Sequence, residues 1–304
     1  MQNNSPIFSI IVTTYNRLDL LKRCLDSIKS QTYKKFEVIV YDDGSTDGTR
    51  EFFESHLEAI QKDFPSFQYI WKENWGGPAR GRNYGLGIAK GEWISFLDSD
   101  DWWKDNRLEN LLSKIHCADV IYHELAFMNS QGEMNKTTNG RELGKPAIVD
   151  LLVNGNCLSN SATIFKKSFI EKTGLVSENH KVQAIEDYDL WLRLAKQDAN
   201  FLYLSDVLGY YWVGEDNIST SSKNYVEKLH YTVEQYLDQL DDSQKAQAFI
   251  TLNYIKARNY QNLDDIELRR EAKASFKKVF FQSNNLMLKL KSLYCFIRLG
   301  LNGV

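Results

Sequence analysis

Over its first 125 residues the chain alternates short β-branched and aromatic runs with longer stretches whose apolar positions recur at helical spacing. The runs Phe8–Thr13, Phe36–Tyr41, Gln68–Trp71, Trp93–Leu97 and Asp119–Tyr122 predict strands, and helices are expected near 18–30, 47–61, 79–89 and 105–115. Apolar strands separated by helices indicate a mostly parallel sheet with both faces covered, since a parallel crossover lays its helix on the sheet. The predicted fold class is therefore α/β. Polar residues collect where the first, second and fourth strands end, at Thr14–Arg17, Asp42–Gly48 and Asp98–Asp101. Ligands bind at that carboxyl edge in open α/β sheets, so the three clusters are read as one candidate site.

Further along, residues 126–160 are polar and hold Gly132, Gly140, Gly144 and Gly155, which reads as a long loop or flap. A strand is expected near Ala162–Phe165, a helix near Tyr188–Lys196, and a strand pair at Phe201–Leu204 and Leu208–Val213. From Asn224 onward the pattern is helical. The expected organisation is one body over 1–223, with halves at 1–125 and 126–223, followed by a helical appendage at 224–304.

Charge changes this picture mainly through its distribution. Lys plus Arg total 37 against 40 for Asp plus Glu, so the net charge of −3 gives no reason to expect nucleic acid as a partner. Residues 266–304, however, carry eight basic and two acidic side chains, leaving 29 basic against 38 acidic in residues 1–265. Cys24, Cys117, Cys157 and Cys295 lie far apart and form no metal-binding spacing, which fits a reduced, cytoplasmic setting. The N-terminal MQNNSPIFSIIVTTY lacks a basic region and a cleavage site, and no run reaches the roughly 18 apolar residues of a spanning helix.

Three acidic clusters carry the candidate chemistry. Asp42-Asp43-Gly44-Ser45-Thr46-Asp47-Gly48 could serve as a turn with Thr46 or Asp47 capping the next helix, but two adjacent carboxylates at a strand end repel unless a donor or cation faces them. Asp98-Ser99-Asp100-Asp101 is sharper. Three carboxylates in four residues after a buried strand are relieved by a hard divalent cation, with ligand phosphates completing the shell; the plainer alternative is a solvated, helix-capping loop. Trp102 and Trp103 stand where a calcium loop would need oxygen ligands and a glycine. Glu186-Asp187-Tyr188-Asp189 begins an amphipathic helix, where carboxylates stabilise the dipole and where one of them could also act as a base. The glycines at 85, 87 and 91 end a helix before a strand, the reverse of a dinucleotide fingerprint, and no GxxxxGK[ST] loop exists.

Taken together, Ser9-Ile10-Ile11-Val12-Thr13-Thr14-Tyr15-Asn16-Arg17, Asp42-Asp43-Gly44-Ser45-Thr46-Asp47, Ala79-Arg80-Gly81-Arg82-Asn83-Tyr84-Gly85 leading into Phe96-Leu97-Asp98-Ser99-Asp100-Asp101, and Glu186-Asp187-Tyr188-Asp189-Leu190-Trp191-Leu192-Arg193 resemble the family 2 glycosyltransferases of GT-A fold. The resemblance covers roughly 7–213 and leaves the helical tail outside. It implies an inverting transferase that uses a nucleotide-diphosphate sugar, most often a UDP-hexose or UDP-N-acetylhexosamine, with Mn²⁺ or Mg²⁺. By family pattern Thr13 and Tyr15 contact the base, Asp42 bonds uracil or ribose, and Arg82 and Asn83 lie near the phosphates or donor sugar. Asp98 and Asp100 form the DxD motif, with Asp100 the direct metal ligand and Asp98 nearer the ribose or sugar, and Asp187 is the catalytic base. One departure stands out: many relatives carry a Tyr-Arg-x-His-like segment after the last core strand, whereas here Tyr210–Asn217 contains no histidine, and Trp212 could instead shape the acceptor pocket.

The tail 286–304 mixes large apolar residues with Lys289, Lys291 and Arg298. It could lie on an anionic membrane, suiting a lipid-linked glycan acceptor at the inner face of the cell membrane, or pack against protein. Two rivals to the transferase are a sugar nucleotidylyltransferase, which would open on a glycine-rich loop where Thr13–Arg17 has no glycine, and an inactive nucleotide-binding scaffold, against which the carboxylates at 98, 100 and 187 argue.

Overall fold

A computed structural model describes residues 6–214 and 222–301. In chain order the elements are β1 (Phe8–Thr14), α1 (Leu18–Lys29), β2 (Phe36–Asp42), α2 (Thr49–Asp63), β3 (Phe67–Trp71), α3 (Pro78–Ile88), β4 (Trp93–Asp98), β5 (Trp102–Trp103), α4 (Arg107–Leu112), β6 (Val120–Asn129), β7 (Gly132–Thr137), α5 (Ala147–Asn154), β8 (Thr163–Lys166), α6 (Ile170–Thr173), α7 (Glu186–Lys196), β9 (Phe201–Trp212), α8 (Lys223–Glu234), α9 (Asp242–Tyr260), α10 (Ile266–Gln282) and α11 (Leu286–Leu301). Among the described residues two compact units form, one from 6–143, 157–178 and 186–214, the other from 144–156, 179–185 and 222–301.

The first unit is a mixed α/β fold. Its sheet runs β3-β2-β1-β4-β8-β6-β9-β5, with β7 hydrogen-bonded to the edge of β6. The first four strands are parallel, as their apolar runs require. Beyond β4 the sheet turns mixed: β8 is antiparallel to β4 and β6, while β6 and β9 run parallel. Ile10, Val12, Val38 and Val40 bury one face against Leu21, Cys24, Leu25 and Ile28 of α1. Ile11 and Tyr41 alternate to the other face and meet α3. That helix approaches the sheet closely because it offers glycines there: a Cβ at Gly85 would lie 2.6 Å from Ile11 Cγ2, and one at Gly81 would lie 2.5 Å from Tyr41 Cδ1.

Two expectations are corrected. Residues 126–160 are not a flap, because β6 continues to Asn129, turns tightly through Gly132 at φ +118° and returns as β7, and α5 follows. β7 sits at an edge, pairs only with β6 and is largely exposed, so its polar composition hides the strand. The predicted strand pair at 201–213 is one strand, β9, whose register against β6 shifts beside His123 and Glu124. The exposed Ser205 and Asp206 fall at that irregularity, and their polarity broke the apolar pattern.

In the second unit α9 opens with a capping box between Asp241 and Gln244, and α9, α10 and α11 bury Ala257, Tyr260, Ala272, Phe276, Cys295 and Leu299 together. None of the described helices is long and apolar enough to cross a membrane.

Because α3 rests on the sheet through its glycines, Gly81→Ala should destabilise the protein by about 1–3 kcal/mol through overpacking. Tyr41→Val in the same chain should recover most of the loss, as read from denaturant midpoints; a neutral Gly81→Ala would contradict this packing.

Candidate active site

Register brings the strand-end clusters together. Thr13 lies beside Asp98 and Tyr41 in the sheet, and Thr14 beside Asp42. The loops after β1 and β2 are then tied by side chains: Asn16 Oδ1 accepts from the Thr46 amide (2.7 Å), Ser45 Oγ accepts from the Asn16 amide (2.9 Å), and Asp47 accepts from the amides of Leu18 (3.0 Å) and Thr49 (3.1 Å). Asp47 thus caps the starts of both α1 and α2. Tyr15 projects from this knot, 47% exposed, and Thr13 is half-buried.

The centre of the site is the Arg82 guanidinium on α3. Its Nη2 donates to Asp98 Oδ1 (2.9 Å) and its Nη1 to Glu186 Oε1 (2.7 Å), joining the end of β4 to the first turn of α7. Arg82 and Glu186 are 5% and 4% exposed at their side chains, so both charges are desolvated and each depends on the other. Asn160 Nδ2 adds a second donor to Asp98 Oδ1 (2.9 Å). Asp187 follows Glu186 and is partly exposed; its carboxylate accepts from the Tyr188 amide (2.7 Å). Burial, and secondly the Glu186 charge, push the Asp187 carboxyl up to about 7, while Arg82 pulls the other way.

The remaining carboxylates of the 98–101 loop are each held separately. Arg17 Nη1 donates to Asp100 Oδ2 (2.6 Å), and Arg23 Nη2 donates to the Asp100 carbonyl (2.8 Å). Arg23 lies over the indoles of Trp102 (3.7 Å) and Trp212 (4.5 Å), and the Trp212 amide donates to Asp101 Oδ1 (2.9 Å). Burial and mutual repulsion raise Asp101 well above the usual carboxylate range; burial raises Asp100 despite Arg17. Among the described residues no three His, Cys, Asp or Glu side chains converge as a metal cage. The donor chemistry nevertheless fits a hard cation held in part by its ligand, since Asp98 and Asp100 are oxygen donors crowded by like charge, and Asp100 already carries a cationic partner.

A family model, "Glycosyl transferase family 2", matches residues 9–172, more than half of the chain. The chain belongs to glycosyl transferase family 2. It is 30% identical over 202 residues to the GalNAc(5)-diNAcBac-PP-undecaprenol β-1,3-glucosyltransferase of Campylobacter jejuni, covering 65% of this chain and 62% of that enzyme. It is also 30% identical over 216 residues to the UDP-Glc:α-D-GlcNAc-diphosphoundecaprenol β-1,3-glucosyltransferase of Escherichia coli, covering 71% and 80%. The crystal structure of S. aureus TarS 1–349 in complex with UDP-GlcNAc shares the fold, with a TM-score of 0.66 at 22% identity over 90% of this chain and 80% of that one.

Of the residues singled out from the family motifs, Arg82, Asp98 and Asp187 meet in one place, Asp100 sits two residues on, and Thr13 neighbours Asp98. Asp42 and Asn83 are committed differently. Asp42 is fully buried, with Oδ2 accepting from the Tyr69 hydroxyl and Oδ1 from the Ser45 amide (2.8 Å). Asn83 donates to the Val176 carbonyl (2.9 Å) and accepts from the Val176 amide (2.9 Å), fastening the chain before α7 to α3. Trp212 stacks on Arg23, and residues 215–217 of the histidine-free segment lie outside the described residues. Arg17 and Glu186 belong to the quoted motifs but had no individual role there; Arg23 and Asn160 were not anticipated, and they lie in ordinary helix and loop sequence that gives no signal.

Proposed function

We propose that this chain transfers a sugar from a UDP-hexose or UDP-N-acetylhexosamine to a hydroxyl of a lipid-linked glycan, inverting the anomeric centre, with Asp187 as the general base. The observation that carries the reading is a carboxyl with a pKa near 7, next to an arginine that also binds the first aspartate of the DxD pair. A base poised there is ionised in about half of the molecules at neutral pH and is basic enough to hold the proton it takes. Asp187 takes the acceptor hydroxyl's proton as that oxygen attacks opposite the leaving diphosphate.

The other roles follow from charge and reach. Exposed Tyr15 offers its ring for stacking on the base, with half-buried Thr13 beside it. Asp42, fully buried, shapes the uracil or ribose site by holding the 43–45 turn through the Ser45 amide and β3 through the Tyr69 hydroxyl, and Asn83 positions the 175–178 segment near the donor sugar. Asp100, with Asp98, holds Mn²⁺ or Mg²⁺, which when bound supplies Lewis-acid stabilisation of the diphosphate. Arg17, whose guanidinium donates to Asp100, would supply positive charge beside the phosphates if a cation were held at that carboxylate. The two undecaprenol-linked relatives support a lipid-linked acceptor, and the fold's occurrence with UDP-GlcNAc supports a UDP-sugar donor.

Peripheral contact with an anionic inner membrane face is assigned to α11. Its buried side carries Ser292, Cys295 and Leu299, while Leu286, Leu290, Tyr294, Ile297 and Leu301 form an exposed stripe at helical spacing, accompanied by Lys289, Lys291 and Arg298.

With a UDP-sugar panel and undecaprenol-linked acceptors, Asp187→Asn should lower kcat about 10²- to 10⁴-fold while UDP still raises the melting temperature, more so with Mn²⁺ or Mg²⁺. Unchanged turnover removes Asp187 as the base, and a metal-independent shift removes the cation. In flotation with phosphatidylglycerol vesicles, Leu290→Glu with Ile297→Glu should abolish membrane binding; retained binding would exclude α11.

A further inference from the structure

Helix α3 presents a second polar face to a cavity. Arg82 points to Asp98 and Glu186, but Arg80, Asn83 and Tyr84, spaced i, i+3 and i+4, line a separate cavity of about 500 Å³. Since Arg80 and Arg82 are two residues apart, they project from roughly opposite sides of the helix. Tyr41 forms the cavity floor, and Lys72, Glu73 and Glu178 stand around it.

Tyr41 is the informative residue. It is 1% exposed, yet its hydroxyl has no hydrogen-bond partner among the described residues and borders the cavity. The hydroxyl oxygen is not sealed off but is reached from the cavity, so water or a polar group entering there can bond it. The ring passes beneath α3 only because residue 81 is glycine. The Tyr84 ring, 41% exposed, lies 5.7 Å from the Tyr41 ring at 48° and has Lys72 Nζ 5.9 Å from its centroid, so it lines the cavity as a partly exposed ring beside a cation. The wall is fixed, since Asn83 Nδ2 donates both to the Val176 carbonyl (2.9 Å) and to Glu178 Oε1 (2.8 Å).

Charge selects the occupant. Lys72 and Arg80 are balanced by Glu73 and Glu178, and none of the four forms an ion pair among the described residues. A diphosphate would set its negative charges against two carboxylates. A neutral sugar instead brings hydroxyls that donate to carboxylates and accept from cations and from Tyr41, and a C–H face that covers an exposed tyrosine ring.

We infer that this cavity is a subsite for a neutral sugar unit of the acceptor glycan, one other than the unit that receives the transferred sugar. The inference rests on the glycan-acceptor reading above and adds where the acceptor chain is held.

The test is saturation-transfer NMR and calorimetry on the full chain with cellotriose, triacetylchitotriose and β-1,3-linked galactobiose as probes, and UDP measured in parallel. At least one saccharide should bind, and Tyr84→Ala should weaken it about tenfold, the effect of one aromatic contact worth about 1.4 kcal/mol. Tyr41→Phe, which keeps the ring and removes only the hydroxyl, should weaken it about three- to tenfold. The subsite is overturned if no saccharide binds, if both variants bind saccharide as well as the parent does, or if Tyr84→Ala weakens UDP instead. Saccharide binding that depends on Tyr84 without any UDP binding would uphold the subsite and overturn only the transferase reading.

Discussion

The Arg82 guanidinium, held between Asp98 and Glu186, joins three elements that the chain makes far apart: the end of β4, the face of α3 and the start of α7. It sits where burial opposes any isolated charge, and the two carboxylates outweigh that penalty, so its pKa lies above the ordinary arginine value. Removing one partner of such a buried pair costs on the order of 3–5 kcal/mol because the other is left uncompensated. The position of Asp187 depends on this bridge, since Glu186 is its neighbour in the same helical turn. The bridge in turn depends on glycine, because α3 reaches the sheet only where Gly81 and Gly85 let Tyr41 and Ile11 rise against it.

The same economy governs the acidic loop. Five carboxylates, at 98, 100, 101, 186 and 187, gather around one strand end, and arginines at 17, 23 and 82 divide them into separately held groups. Asp101 is locked to the Trp212 amide and serves to fasten β9 to the loop, while Asp98 keeps partial exposure, Asp100 is buried, and both have cationic partners. The Asp187 carboxyl, without an arginine of its own, is pushed up to about 7 by burial and by Glu186, against the pull of Arg82.

Much of this could be read from sequence, for physical reasons. Parallel strands buried on both faces are apolar along their whole length, so β1, β2 and β4 stood out, and strand ends in such sheets are where polar clusters meet. β7 was invisible because an exposed edge strand needs no apolar face, and β9 read as two strands because Ser205 and Asp206 occupy its irregularity. In the site, carboxylates announced themselves by crowding, but their partners did not. Nothing near Arg23 marks it as the cation that lies over Trp102 and Trp212, and Asn83 reads as a ligand residue although its amide is spent on Val176. Pairings between residues so far apart in the chain are set by the fold and leave no local trace.

The central claim is that burial and Glu186 raise the Asp187 carboxyl and that Arg82 holds the rise near neutral, and an NMR titration of the Asp187 side-chain carboxyl tests it directly. In the parent chain the carboxyl should titrate near 7. In Arg82→Gln, with the opposing positive charge gone, it should move higher, while Arg82→Lys should leave it close to the parent value. A titration in the ordinary carboxylate range in the parent, or one that Arg82→Gln leaves unmoved, would contradict the account.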